Sequence, residues 1–391
     1  MRMTLLLSGQ GETPSADVIT MWRCDDRARA VWEEAADTLK EPLDSWLDQG
    51  DPTDTYRAQV ISAIGSMATY AVVAREVPIA PSFAVGHSVG EVAALGICRG
   101  LSVSTVAQLV AARGRAMHDA LRSAEVPTGM RAVVDPPAEL AELVAAAPQV
   151  YVANHNSTRQ IVISGTLSAL DDFAATSGLR LLPLKVKGAF HTPFMQAAAD
   201  RFRELAAPLD LGESFGPAVI RNRTATPYPD DADLIDELAR QIVAPVRWAE
   251  ALRYAYMHGS QVALDLSSTG MLTRMAGCPG VRHLPSGTPD AIDAVQRELR
   301  HVLAVEGSYD LAARALGAIV STPNHQPDRE LYRDRVIPAY QELRAMVGRA
   351  DQQPDQILGI VDDVLRVKQV DEQLRDRKMS ELRWRAARFA A

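Results

Sequence analysis

The chain has 391 residues, 47% hydrophobic and 23% charged, the balance of a folded globular protein with room for two or three domains. A net charge of −8 excludes general nucleic-acid binding. Three scattered cysteines, Cys24, Cys98 and Cys278, have no metal-ligand spacing and fit a reducing compartment without a disulfide framework. The apolar opening Met3–Leu7 is cut short by Ser8-Gly9-Gln10-Gly11, and no run is long enough to span a bilayer, so a cytoplasmic location is expected.

In chain order, Met3 to Leu7 reads as a buried parallel strand that ends in a Gly-rich turn, Ser8 to Glu12. Arg27–Leu39 and Thr55–Arg75 carry apolar residues at helical spacing. Pro81–Val85 is a short strand and Glu91–Cys98 begins a helix; a serine cap at 102 or 104 starts another that runs to about Leu121. Beyond Pro127 the order becomes strand (130–134), helix (137–146), two strands (150–153, 160–164), helix (167–176) and strand (180–186), the order of a ferredoxin-like insert. Strands at 218–220, 262–266 and 281–284 alternate with helices at 234–243, 248–258, 271–275 and 289 to about 304. Alternating strands and helices predict an α/β fold with a helix-covered parallel sheet. The expected division is a large α/β-hydrolase-like domain over 1–126 and 192–305, a small α+β subdomain over 127–191, and a helical C-terminal extension over 306–391. The extension should break at Ser321–Asp328 and end in one long helix, about Pro354 to Phe389. From Arg366 onward it has eight basic and four acidic residues, a local excess of positive charge suited to an acidic partner.

Between the strand at 81–85 and the helix at 91 lies Gly86-His87-Ser88-Val89-Gly90, a G-x-S-x-G nucleophile elbow. Such a turn lifts the serine hydroxyl above the strand end, where the free N–H groups of the following helix also point. That suits a serine that attacks a carbonyl. His191, just past a strand and before Thr192-Pro193, is the candidate base, and the adjacent His87 is expected to support the turn. Asn154 and Asn156 are expected to fix a turn in the small subdomain.

Several separated segments together resemble the malonyl-CoA:acyl carrier protein transacylases and the acyltransferase domains of polyketide synthases, over roughly residues 3–300. They are Gly9-Gln10-Gly11, Gly86–Glu91, Arg113-Gly114-Arg115-Ala116-Met117, Asn154–Gly165, Ala189-Phe190-His191-Thr192-Pro193 and Gln241–Trp248. The resemblance implies an acyl-serine on Ser88, with His191 as base and then acid, and with the backbone carbonyl of Gln241 orienting the imidazole. It implies an oxyanion hole from the amides of Gln10 and Val89, and a substrate carboxylate paired with Arg113. Substrates would be malonyl-CoA and a phosphopantetheinylated carrier protein, with no metal or other cofactor. Alternatives are an acyl-thioester hydrolase and a transferase of a different acyl group between carrier proteins. Two turns depart from the family pattern. Glu12 follows Gly-Gln-Gly where the family has Ser-Gln, and Asp265-Leu266-Ser267-Ser268-Thr269-Gly270 replaces an acidic-x-Gly-Pro-Gly turn.

Overall fold

The computed structural model describes residues 2–48, 54–77, 79–211, 216–275, 280–300, 311–349 and 352–389. Cys278 and the predicted helical residues 301–304 lie outside them. The chain divides into two compact units, residues 1–214 with 218–299 and residues 215–217 with 300–391.

The first unit is built on a five-stranded parallel sheet of β1 (Met3–Leu7), β2 (Phe83–Gly86), β7 (Ala218–Ile220), β8 (Val262–Asp265) and β9 (Arg282–Pro285), in the order β7-β2-β1-β8-β9. β1 is central and wholly buried, which is why it reads as an unbroken apolar run. The chain leaves β1 on one side for β2 and returns on the other as β8. The crevice beyond the strand ends at such a switch point is where ligands bind in open α/β sheets. Helix α4 (Thr55–Glu76) is apolar around most of its surface and accordingly buries Val60, Ala63, Ile64, Ala68 and Val73. Its start is set by Asp54, whose carboxylate accepts from the amides of Tyr56 and Arg57.

Inserted after α6 (Val103–Arg122) is a four-stranded antiparallel sheet of β3 (Thr128–Val134), β4 (Val150–Ser157), β5 (Gln160–Thr166) and β6 (Leu181–Lys187), in the order β4-β5-β3-β6. Helices α7 (Leu140–Ala146) and α8 (Leu167–Ser177) pack on one face, closing a small core of Val133, Leu140, Ile163, Leu170 and Phe173. This lobe is tied to the loop before Trp248 of the larger lobe at Val246, whose amide donates to Ala153 O and whose carbonyl accepts from His155 N, each at 2.8 Å.

In the second unit, helices at 311–320, 337–346, 354–367 and 372–389 enclose a core that includes Leu311, Leu343, Ile357, Val361 and Leu382. The single helix expected over 354–389 is corrected to two. Gln369 takes a left-handed φ of 54°, its amide donates to Arg366 O at 2.9 Å, and the amide of Val370 donates to Leu365 O at 3.1 Å. That pair of bonds is a Schellman stop, and Asp371 Oδ1 starts the next helix by accepting from Leu374 N. The Lys368 ammonium is buried and donates to the carbonyls of Ile319 and Thr322, which ties the break to the end of the helix at 311–320.

Candidate active site

The elbow forms because β2 runs into α5 (Gly90–Arg99) with almost no separation. A Cβ on Gly86 would lie 2.1 Å from the Gly90 carbonyl carbon, and one on Gly90 would lie 2.5 Å from Leu7 O. Neither position has room for a side chain. Ser88 between them has φ 52°, a left-handed conformation that costs a residue with a Cβ about 1–3 kcal/mol. Asn222 and Gln241 offset that strain. Ser88 N donates to Asn222 Oδ1 at 2.8 Å, Asn222 Nδ2 donates to Gly86 O at 2.6 Å, and Gln241 Nε2 donates to Ser88 O at 2.8 Å.

Ser88 Oγ lies 2.8 Å from His191 Nε2. The other ring nitrogen, Nδ1, lies 3.1 Å from the Gln241 carbonyl. A carbonyl only accepts, so Nδ1 carries the proton and Nε2 is left to accept from the serine hydroxyl. His191 is buried, and desolvation, with the charge of Arg113 adding to it, pushes its pKa down to about 3. At neutral pH the imidazole is therefore an uncharged base. The segment that carries it is fixed by Ala189 N donating to Thr128 Oγ1 and by Thr192 Oγ1 donating to Ala189 O.

Arg113, on α6, is fully buried directly behind the serine. Its Nη2 donates to Gln241 Oε1 at 2.9 Å and reaches Ser88 Oγ at 3.3 Å, and its Nη1 donates to Gln59 on α4. Its Nε is buried and has no partner among the described residues. Burial lowers the guanidinium pKa to about 10, with Glu91 opposing the shift, so the group stays charged. Glu91 is equally buried. Its carboxylate accepts from Tyr228 OH, from Gln241 Nε2 at 2.9 Å and from Asn222 N at 2.9 Å, and desolvation raises its pKa against those bonds. Gln59, Glu91, Asn222 and Tyr228 were not singled out from the sequence. Only Glu91 carried a local signal, as a charged residue at the start of an otherwise apolar helix.

In front of these groups opens a cavity of about 490 Å³ between the two lobes. Gln10 and Ser88 lie on its large-lobe side, and Met130, Val162, Leu184 and Phe190 line the opposite wall. Val89 is buried at the start of α5, immediately behind Ser88. Asn154 and Asn156 are not turn residues, which corrects the expectation. They lie on β4, line the cavity and approach His87 Nε2 at 3.3 and 2.9 Å. His87 also packs against Trp248, and of the two histidines it is His191 that bonds Ser88 Oγ. Among the described residues, no cluster of three or more His, Cys, Asp or Glu could hold a metal, and no helix is long and apolar enough to cross a membrane.

A partly exposed serine on a strand–turn–helix elbow, hydrogen-bonded to a buried histidine and backed by a charged arginine, is an arrangement that can activate a hydroxyl for acyl transfer. Residues 5–307 match the acyl transferase domain family, and the chain belongs to that family; it is an acyltransferase. Malonyl CoA-acyl carrier protein transacylase of Mycobacterium bovis is 30% identical over 283 residues, 70% of this chain and 92% of that one. Among solved structures, the acyl-carrier-protein-S-malonyltransferase of Bartonella henselae superposes with a TM-score of 0.68 at 27% identity, over 76% of this chain and 99% of that one. The malonyl CoA-acyl carrier protein transacylase of Clostridium perfringens shares the fold, with a TM-score of 0.72 at 22% identity over 78% of this chain and all of that one.

Proposed function

We propose that the enzyme moves a malonyl group, or a close carboxyacyl relative, from coenzyme A to the phosphopantetheine thiol of an acyl carrier protein. Ser88 Oγ attacks the thioester carbonyl as His191 Nε2 takes its proton, and the same proton leaves with the coenzyme A thiol. The carrier thiol then gives a proton to His191 and attacks the acyl-serine, and the imidazolium passes that proton to the departing Ser88 Oγ, which restores both groups. The backbone amides of Gln10 and Val89 bind the oxyanion in both halves. Arg113, whose Nη2 reaches toward Ser88 Oγ, pairs with the free carboxylate of the acyl group. The chemistry asks for no metal or redox cofactor.

The observation that carries this reading is the placing of Ser88 Oγ between His191 Nε2 at 2.8 Å and Arg113 Nη2 at 3.3 Å. A simple acyl hydrolase has no use for that arginine. The rest of the reading is a large lobe over 1–126 and 192–305, a ferredoxin-like lobe over 127–191, a helical extension over 306–391, and a cytoplasmic enzyme of polyketide or related biosynthesis. Mass spectrometry after incubation with malonyl-CoA tests the mechanism. The expected result is a malonyl adduct on Ser88, absent from Ser88→Ala, that is discharged by carrier protein. Transfer by Ser88→Ala would end the proposal.

A further inference from the structure

The loop from Ser8 to Glu12 is pinned at three points. Ser62 Oγ donates to Ser8 O at 3.1 Å. Gly9 sits so close to the elbow that a Cβ there would lie 2.8 Å from His87 O. At the far end the Thr269 hydroxyl donates to the Glu12 carboxylate. Between these pins Gln10 lines the cavity, followed by Gly11 at φ 111°. A glycine in that conformation leaves the loop free to swing unless its end is held.

Thr269 is itself braced. Arg274 Nη1 donates to its carbonyl at 2.7 Å. The turn that carries it is built on buried Asp265, whose carboxylate accepts from Ser267 N at 2.9 Å and Thr273 N at 2.6 Å. Burial, and secondarily Asp265, raises the Glu12 pKa, while the Thr269 hydroxyl is the largest influence opposing that rise. Glu12 and Thr269 stand in the two turns where this sequence departs from the family pattern, and in the fold those two departures meet.

We propose that Glu12 and Thr269 form a clasp that positions the Gln10 amide for the oxyanion. The inference rests on the reading of Ser88 as nucleophile and Gln10 as oxyanion donor. Both clasp residues are positioning residues that act through Gln10. Releasing the loop would misplace a donor whose worth depends on geometry in the transition state, so the loss falls on kcat.

The test compares single-turnover acylation of the full chain by malonyl-CoA, and steady-state KM, across five variants. Glu12→Ala and Thr269→Val each slow acylation about 10- to 100-fold with KM within about two-fold. The double variant is no slower than the slower single, because both remove the same bond. Glu12→Gln and Thr269→Ser, which keep an acceptor and a hydroxyl, recover most of the rate and control for folding. Full rates in the first two, additive losses in the double, a loss confined to KM, or no recovery in the conservative pair would each overturn the clasp. An unmodified wild-type Ser88 would instead overturn the acyl-serine reading and the clasp with it.

Discussion

Gln241 accepts from Arg113 through Oε1 at 2.9 Å while its Nε2 donates to Glu91 at 2.9 Å, so one amide bridges a buried cation and a buried anion. The same residue's backbone carbonyl orients His191. Base, arginine and elbow are thus aligned by a single side chain and its own main chain.

Replacing Gln241 by Ala separates those duties. The carbonyl remains and His191 keeps its tautomer, but Arg113 and Glu91 each lose a buried partner at a cost of about 1–3 kcal/mol per group. The expected outcome is a lower melting temperature and a fall in kcat/KM for malonyl-CoA, with an acylation pH profile of unchanged shape. Calorimetry and stopped-flow acylation check it.

Arg113→Lys keeps the charge and loses the planar fork. Turnover of a carboxyacyl thioester should fall about 10- to 100-fold, and that of acetyl-CoA far less. Competition between the two thioesters, read by the mass of the Ser88 adduct, measures the ratio.

Burial of His191 sets the sign of one pH effect. Its folded pKa, about 3, lies below the ordinary value of 6.5, so below 6.5 the unfolded chain binds a proton that the folded chain refuses. Stability therefore drops as pH falls from about 6.5 toward about 3, by up to about 1.4 kcal/mol per pH unit. His87, whose pKa burial also lowers, acts in the same direction. Thermal melts from pH 7 to 4.5 should show a shallower decline in His191→Ala than in wild type.

Ser88→Gly and Ser88→Ala both remove the hydroxyl and abolish acylation, yet they should differ in stability. Glycine relieves a left-handed backbone at about 1–2 kcal/mol and gives back about 0.5–1 kcal/mol of chain entropy. The glycine variant should melt a few degrees higher than the alanine variant by calorimetry. A glycine variant that melts lower than the alanine variant would show that the elbow carries no strain.

What could be read from the sequence was what is local in the chain. The elbow, the strand at Met3–Leu7 and a serine cap at 102 or 104 are set by neighbours within a few residues; the structure places the elbow and strand where the pattern put them and caps the helix with Ser102. Glu91 was legible as a helix start and as the end of the Gly86–Glu91 motif but not as a buried partner, because that depends on Tyr228 and Asn222, far along the chain. Gln59 was hidden in the apolar spacing of α4, which says that a helix is buried but not which polar atom it presents. The break at Lys368–Asp371 was missed because a left-handed glutamine ends the helix where a glycine would have announced it.

The crowding around Gly86 and Gly90 also bears on how such an enzyme can diversify. Behind Ser88, main chain is pressed against main chain, and an added methyl group at either glycine collides with backbone atoms. The facing wall is made of adaptable side chains such as Met130, Val162 and Leu184, which stand on the other lobe from Ser88. Preference among acyl groups that keep the carboxylate for Arg113 is therefore open to change at the far wall, where substitutions leave the elbow untouched.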